Sequence, residues 1–174
     1  MMNRDSNAYT FGFAAAMVVV VASVLAFTAS SLKDLQQENV RKEKMQNILA
    51  TIGIETDRDG AEVLFNDHIV SQLALRNDGS VDEDVDPFSG IKLALELKKD
   101  PSEQRFPLYL ANVKEASYYI IPLRGSGLWD AIWGYIALES DRNTIKGAVF
   151  DHKAETAGLG AEITQQWFMT VSYT

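Results

Sequence analysis

The sequence predicts an α+β protein, with a single N-terminal transmembrane helix followed by one soluble domain of antiparallel β-hairpins and flanking helices. Three observations carry that expectation. Phe11 to Ser31 contains no charged residue; Leu32 to Ile52 places apolar residues at loosely helical spacing; and the last third holds two β-type runs around the polar turn "SDRNT". A chain of 174 residues has room for one domain and a short extra element, and 47% hydrophobic residues are enough for a core.

The elements follow in order. As a helix, Phe11 to Ser31 reaches about 31 Å at ~1.5 Å per residue, enough for a hydrocarbon core of about 30 Å. The rival is a cleaved signal peptide, against which stand the length of the run and the single basic residue, Arg4, before it. The expected organisation is a tail over 1–10, a membrane helix over 11–31, a stalk helix over 32–53 and a domain over 54–174. Basic residues near the span are Arg4 on one side and Lys33, Arg41, Lys42 and Lys44 on the other. Counted alone, they point the body toward the cytoplasm.

In the stalk, Leu32, Leu35, Val40, Met45, Ile48, Leu49 and Ile52 recur among charged residues, and Gly53 can end the helix. The alternative to a bare stalk is an amphipathic helix docked on its own domain. Glu62 to Arg76 has no clean period and stays open between helix and strand. The acidic stretch "NDGSVDEDVDPF" sets Asp82, Asp84 and Asp86 on alternate positions, as in the start of a calcium loop. Pro87 then stands at the place of the turn glycine and Leu93 at that of the bidentate acid, so a solvated loop is expected and no metal. In "IKLALELKK" strict alternation argues strand while composition argues helix. "YYIIPL" has strand composition, with "RGSG" at Arg124 to Gly127 as the turn after it. Leu128 to Glu139 and Ile145 to Glu155 form a hairpin, and Ala161 to Val171 reads as a helix.

Composition and motifs exclude several function classes. The net charge of −8 and isoelectric point near 4.7 disfavour nucleic acid as a partner. With no cysteine, thiolate metal sites and iron–sulfur ligation fall away, so redox chemistry here needs an organic cofactor. "GLGAEI" lacks the third glycine of the dinucleotide fingerprint, His68 and His152 are the only histidines, and no serine sits in a nucleophile elbow.

What remains is "HKAETAGLG" and "GSGLWDAIWGYIALE". With the single N-terminal span and "LQQENVRKEKMQNILATIGIE", they resemble the C subunit of the bacterial Na+-translocating NADH:quinone reductase over nearly the whole chain. The flavin-bearing G subunit of Rnf complexes shares the glycine loop. The resemblance implies a single-pass protein of the bacterial inner membrane whose domain faces the periplasm. It implies flavin mononucleotide (FMN) joined by a phosphoester to a threonine, and electron relay within a complex that couples NADH oxidation by quinone to sodium export. The implied partners are the other members of that complex and, through residues 11–31, the bilayer. Family placement outweighs the charge count, because long domains translocate despite flanking basic residues.

Carried onto this sequence, the implied cofactor-binding residues are Trp129, Glu155, Thr156, Gly158, Leu159 and Gly160. No catalytic residue and no metal ligand is assigned. Gly158 and Gly160 allow positive φ and close backbone approach, Thr156 can hydrogen-bond the flavin, and Leu159 can press on its ring. Trp129 either packs beside the flavin or fills core, and Glu155 either caps a turn or touches the cofactor. Two departures stand out: Ala157 replaces the usual proline of the box, and the family's S-G-A-T attachment motif does not occur in these 174 residues. The domain is therefore expected to be incomplete at its C-terminus relative to the family, and Thr164, Thr170 and Thr174 receive no attachment role. The alternative function is a cofactor-free, membrane-anchored assembly module.

Overall fold

The computed structural model describes residues 7–171. The chain divides into two compact units, one ending at Arg41 and one beginning at Lys42. The first is the greater part of α1, the helix Asn7–Thr51, which is long and apolar enough to cross a membrane. Three of its hydroxyls are satisfied within the helix: Ser23 donates to the Val19 carbonyl at 2.7 Å, and Thr28 and Ser31 donate to those of Val24 and Phe27 at 2.9 Å. Paired this way, these three sit in an apolar run with their polarity matched.

The second unit begins with the last turns of α1. Met45, Ile48, Leu49 and Ile52 fall on one helical face and are buried. The amphipathic stretch is thus docked on its own domain. Gly53 ends the helix at φ 81, with its N–H on the Ala50 carbonyl (3.0 Å) and that of Ile54 on the Leu49 carbonyl (3.1 Å). This is a Schellman cap, whose left-handed position suits glycine.

The ambiguous stretch after it holds both structures, a helix α2 (Ala61–His68) running into a strand β1 (Ile69–Arg76). Four strands follow: β2 (Arg105–Val113), β3 (Ala116–Ser126), β4 (Ala131–Leu138) and β5 (Ile145–His152). The sheet order is β1-β2-β3-β4-β5 with every neighbour antiparallel, an up-and-down meander. Tyr109, Ala111, Ile120, Tyr135 and Ala137 project from one sheet face into a core shared with α1 and α2. Phe65, Phe88 and Tyr109 form an edge-to-face triad with centroids 5.3 to 6.4 Å apart.

One open reading is resolved and three expectations are corrected. In "IKLALELKK" propensity prevails over alternation, giving a single-turn helix α3 at Leu93–Glu96. The segment Arg124 to Ser126 continues β3, and the turn falls at 127–130, closed by the Gly127 N–H on the Asp130 carbonyl at 2.7 Å. The helix expected over 161–171 is a 3-10 turn at Gly160–Thr164 and then α4 at Gln166–Val171, separated by extended Gln165. The acidic stretch is not uniformly solvated. Asp82 is buried between Arg105 (2.6 Å) and Arg76 (2.8 Å), and the Arg105 hydrogen bond holds its carboxyl below the usual range. Asp86 accepts from the Ser89 hydroxyl and from the N–H groups of Phe88 and Ser89.

One half-buried cation opposes this packing. Lys44 lies against the Phe88 ring, 4.1 Å from its centroid, and donates to the Phe88 carbonyl. Burial lowers its pKa from 10.5 to about 8, with the Asp86 charge acting in the opposite sense. Between pH 8 and 10.5 the unfolded chain holds a proton that the folded one has lost, so stability rises with pH there. A Lys44→Met variant is expected to be more stable than the parent at pH 7, by about 1 kcal/mol after allowance for partial exposure, and to lose this rise. Denaturant midpoints at pH 7, 8 and 10 check both effects.

Candidate functional site

The site is assembled by one side chain. β5 delivers the chain to Glu155, whose main-chain N–H donates to the His152 Nδ1 at 3.2 Å. That bond places the ring proton on Nε2. The Glu155 carboxylate then turns back to the β3–β4 loop, where its Oε1 accepts from the Trp129 N–H at 3.1 Å. A Cβ on Gly127 would stand 2.2 Å from Oε1, and one on Gly160 would stand 2.4 Å from Oε2. Both loops therefore close on one carboxylate, and a side chain at either glycine would displace its oxygens. Of the two roles left open for Glu155, capping of the following turn or contact with the cofactor, the first is not what its Oε1 does: it ties "GSGLW" to "ETAGLG".

The two glycines of the box differ. Gly158 has φ 74 with open space where a Cβ would stand, and its N–H donates to the Glu162 Oε1 at 3.0 Å. Gly160 has no positive φ, contrary to the expectation, and is small because of Glu155. The Thr156 carbonyl accepts from the N–H groups of Leu159 and Ala161, both at 3.1 Å, while its side chain is exposed. Ala157 is accommodated in this turn without the proline.

Around the bridge, large apolar side chains stay open to solvent. Trp129 is 69% exposed and Leu159 72% exposed, so the core-filling alternative for Trp129 does not hold. Trp129 also lines a cleft of about 460 Å³ with Ala94, Leu97, Lys98 and residues 124–127, 130 and 131. Asp130 is paired with Lys153 at 2.9 Å, and that contact holds its carboxyl below the usual range. The arrangement offers two glycine-backed loops, an indole face and a leucine, with no nucleophile poised by a base. Such a surface can hold and shield a planar ligand. His152, Lys98 and Arg124 were not legible as site residues. His152 works through a main-chain bond, and α3 meets the β3–β4 loop only in the folded chain.

Known proteins resemble this chain both at the site and over most of its length. The FMN-binding domain family matches residues 127–172, which include both loops and Glu155. The C subunit of the Na(+)-translocating NADH-quinone reductase of Pseudomonas aeruginosa is 31% identical over 94% of this chain and 70% of its own length. Its counterpart in Vibrio campbellii is 29% identical over 92% and 69%. Among solved structures, the crystal structure of the same protein from Parabacteroides distasonis superposes with a TM-score of 0.73 at 36% identity, covering 80% of this chain and 67% of that one. NqrC of Shewanella oneidensis superposes at 0.64 and 24% identity, over 75% of this chain and 67% of that one, a likeness of fold. Identity of 31% over 94% of this chain and 70% of the Pseudomonas aeruginosa subunit, together with the superposition on the Parabacteroides distasonis structure, places the chain in the NqrC family, the C subunits of the Na(+)-translocating NADH-quinone reductases.

Proposed function

We propose that this chain is a membrane-anchored electron-relay subunit that holds flavin mononucleotide at the edge bridged by Glu155. The observation that carries the proposal is the Glu155 bridge itself, which leaves Trp129 and Leu159 open to solvent within the region matched by the FMN-binding family. Bound flavin supplies reversible one- and two-electron transfer. The chain's own residues provide the surroundings. Trp129 and Leu159 cover a planar ring against water, Thr156 offers a hydroxyl, and Gly158 and Gly160 bring backbone close. No side-chain nucleophile is needed for relay.

In the same proposal, residues 11–31 lie in the bilayer, the body from Lys42 faces the periplasm, and the other members of the sodium-translocating complex exchange electrons with it. The exposure of the whole apolar run in α1 supports the membrane placement, since none of it is buried within the protein.

Titration of the full chain in neutral detergent micelles with flavin mononucleotide tests the reading, with tryptophan quenching and flavin fluorescence as readouts. Saturable binding is expected, and Trp129→Ala is expected to weaken it three- to tenfold, the equivalent of about 1 kcal/mol of aromatic contact. Absence of saturable binding in the parent chain would sink the flavin reading and leave the cofactor-free assembly module.

A further inference from the structure

The cleft beside Trp129 carries a charge pattern that the flavin ring does not explain. It lies between the turn that follows α3, which presents Lys98, and the end of β3, which presents Arg124 and Ser126. Its one anionic side chain, Asp130, is held by Lys153 at 2.9 Å and by the Ala131 N–H at 2.7 Å. Among the described residues the side chains of Lys98 and Arg124 make no hydrogen bond or ion pair, and Arg124 acts on Asp130 only through space. Other cations of the body do have carboxylate partners: Arg76 and Arg105 pair with Asp82, Lys99 with Glu96 and Lys153 with Asp130. In a chain with 16 basic and 24 acidic residues, two cations that line one cleft whose single carboxylate, Asp130, is already paired with Lys153 mark a place for an anion.

The neighbouring surface narrows the class of anion. Trp129 lines the same cleft, so a ligand filling it meets an aromatic face and a pair of cations together. A lone inorganic ion would use only the cations, and an uncharged aromatic only the indole. We infer that Lys98 and Arg124, with the Ser126 hydroxyl, take the phosphate of flavin mononucleotide, so that the cleft reads the phosphate separately from the ring. This rests on the flavin reading above and adds to it the residues that distinguish the phosphorylated flavin from riboflavin. Lys98 contributes a compact charge and Arg124 a fork that matches phosphate oxygens in pairs. A phosphate esterified through one further oxygen keeps a negative charge, so the same pair serves a free or a tethered phosphate.

Parallel titrations of the full chain in neutral detergent with flavin mononucleotide and with riboflavin test this, in the parent and in Lys98→Gln/Arg124→Gln. The parent is expected to prefer the phosphorylated flavin about tenfold, less at high salt, and the double variant is expected to bring the ratio to about one. Arg124→Lys is expected to keep part of the preference. Equal binding of the two flavins by the parent, or a preference that survives in the double variant, overturns the phosphate assignment and leaves flavin binding intact. Failure of the parent to bind either flavin overturns both. Thermal melts of the variants, whose replaced side chains are both exposed, check that the fold is retained.

Discussion

Gly147→Ala is expected to destabilise the body by about 3 kcal/mol, the upper end of what overpacking costs in a well-packed core. The reason lies where β5 meets the end of α1. A Cβ on Gly147 would stand 2.4 Å from the Thr51 carbonyl oxygen and 3.2 Å from its carbon. Both are backbone atoms, so no side chain can rotate out of the way. Thr51 is itself buried, its hydroxyl bonded to the Ile48 carbonyl at 2.6 Å, and the next residues form the Gly53 cap. Retreat of the helix end would pull Ile48, Leu49 and Ile52 out of their contacts with the sheet. Gly125→Ala is the control, because its Cβ would meet only the Ile132 side chain, at 3.5 Å. Denaturant unfolding should separate the two variants by about 2 kcal/mol or more. Equal losses would show that the cost comes from the loss of glycine itself and not from contact with Thr51.

Glu155→Ala is expected to weaken flavin binding about tenfold while changing stability by less than about 1 kcal/mol. The bond it removes, from the Trp129 N–H to a half-exposed carboxylate, has a strength of about 1–2 kcal/mol. That bond sets where both loops stand. Glu155→Gln keeps an oxygen acceptor and is expected to recover most of the affinity. Gly160→Ala should reproduce the effect of Glu155→Ala, because its Cβ at 2.4 Å from Oε2 displaces the end of a flexible side chain without disturbing the core. Gly158→Ala acts differently, through a φ of 74 that alanine adopts only at a cost of about 1 kcal/mol. The informative readout is the pairing of variants. If Glu155→Ala binds flavin as well as the parent, the bridge has no part in holding the cofactor.

Much of the fold was legible because it depends on local pattern. The uncharged run over 11–31, the periodic apolar residues ending at Ile52 with Gly53 behind them, and the β4–β5 hairpin are all written in neighbouring residues. In the turn of that hairpin, Asp141 accepts from the N–H groups of Asn143 and Thr144 and from the Thr144 hydroxyl. These bonds lower its pKa to about 2. Less legible were segments where two tendencies compete. Residues 61–76 change from helix to strand at Ile69 with no glycine or proline to mark the boundary. "IKLALELKK" forms only one helical turn, because buried Glu96 takes Lys99 at 2.7 Å and the Arg105 N–H at 3.0 Å and so fixes the chain's exit toward β2.

The two glycine motifs could be read as segments, and their resemblance to a flavin-binding family could be read with them. Their convergence could not, because 26 residues and the whole β4–β5 hairpin separate Trp129 from Glu155. Residue order was enough to establish that an apolar helix leads an acidic α+β body without cysteine, and which short loops are glycine-rich, since charge, hydropathy and turn preference act between near neighbours. Folding in three dimensions added that one carboxylate clasps both loops, that Gly160 is small for that carboxylate while Gly158 serves a left-handed turn, and that Lys98 faces the same cleft as Arg124. Each of those facts is a contact between distant residues, and the antiparallel register of the sheet brings them within reach of one another.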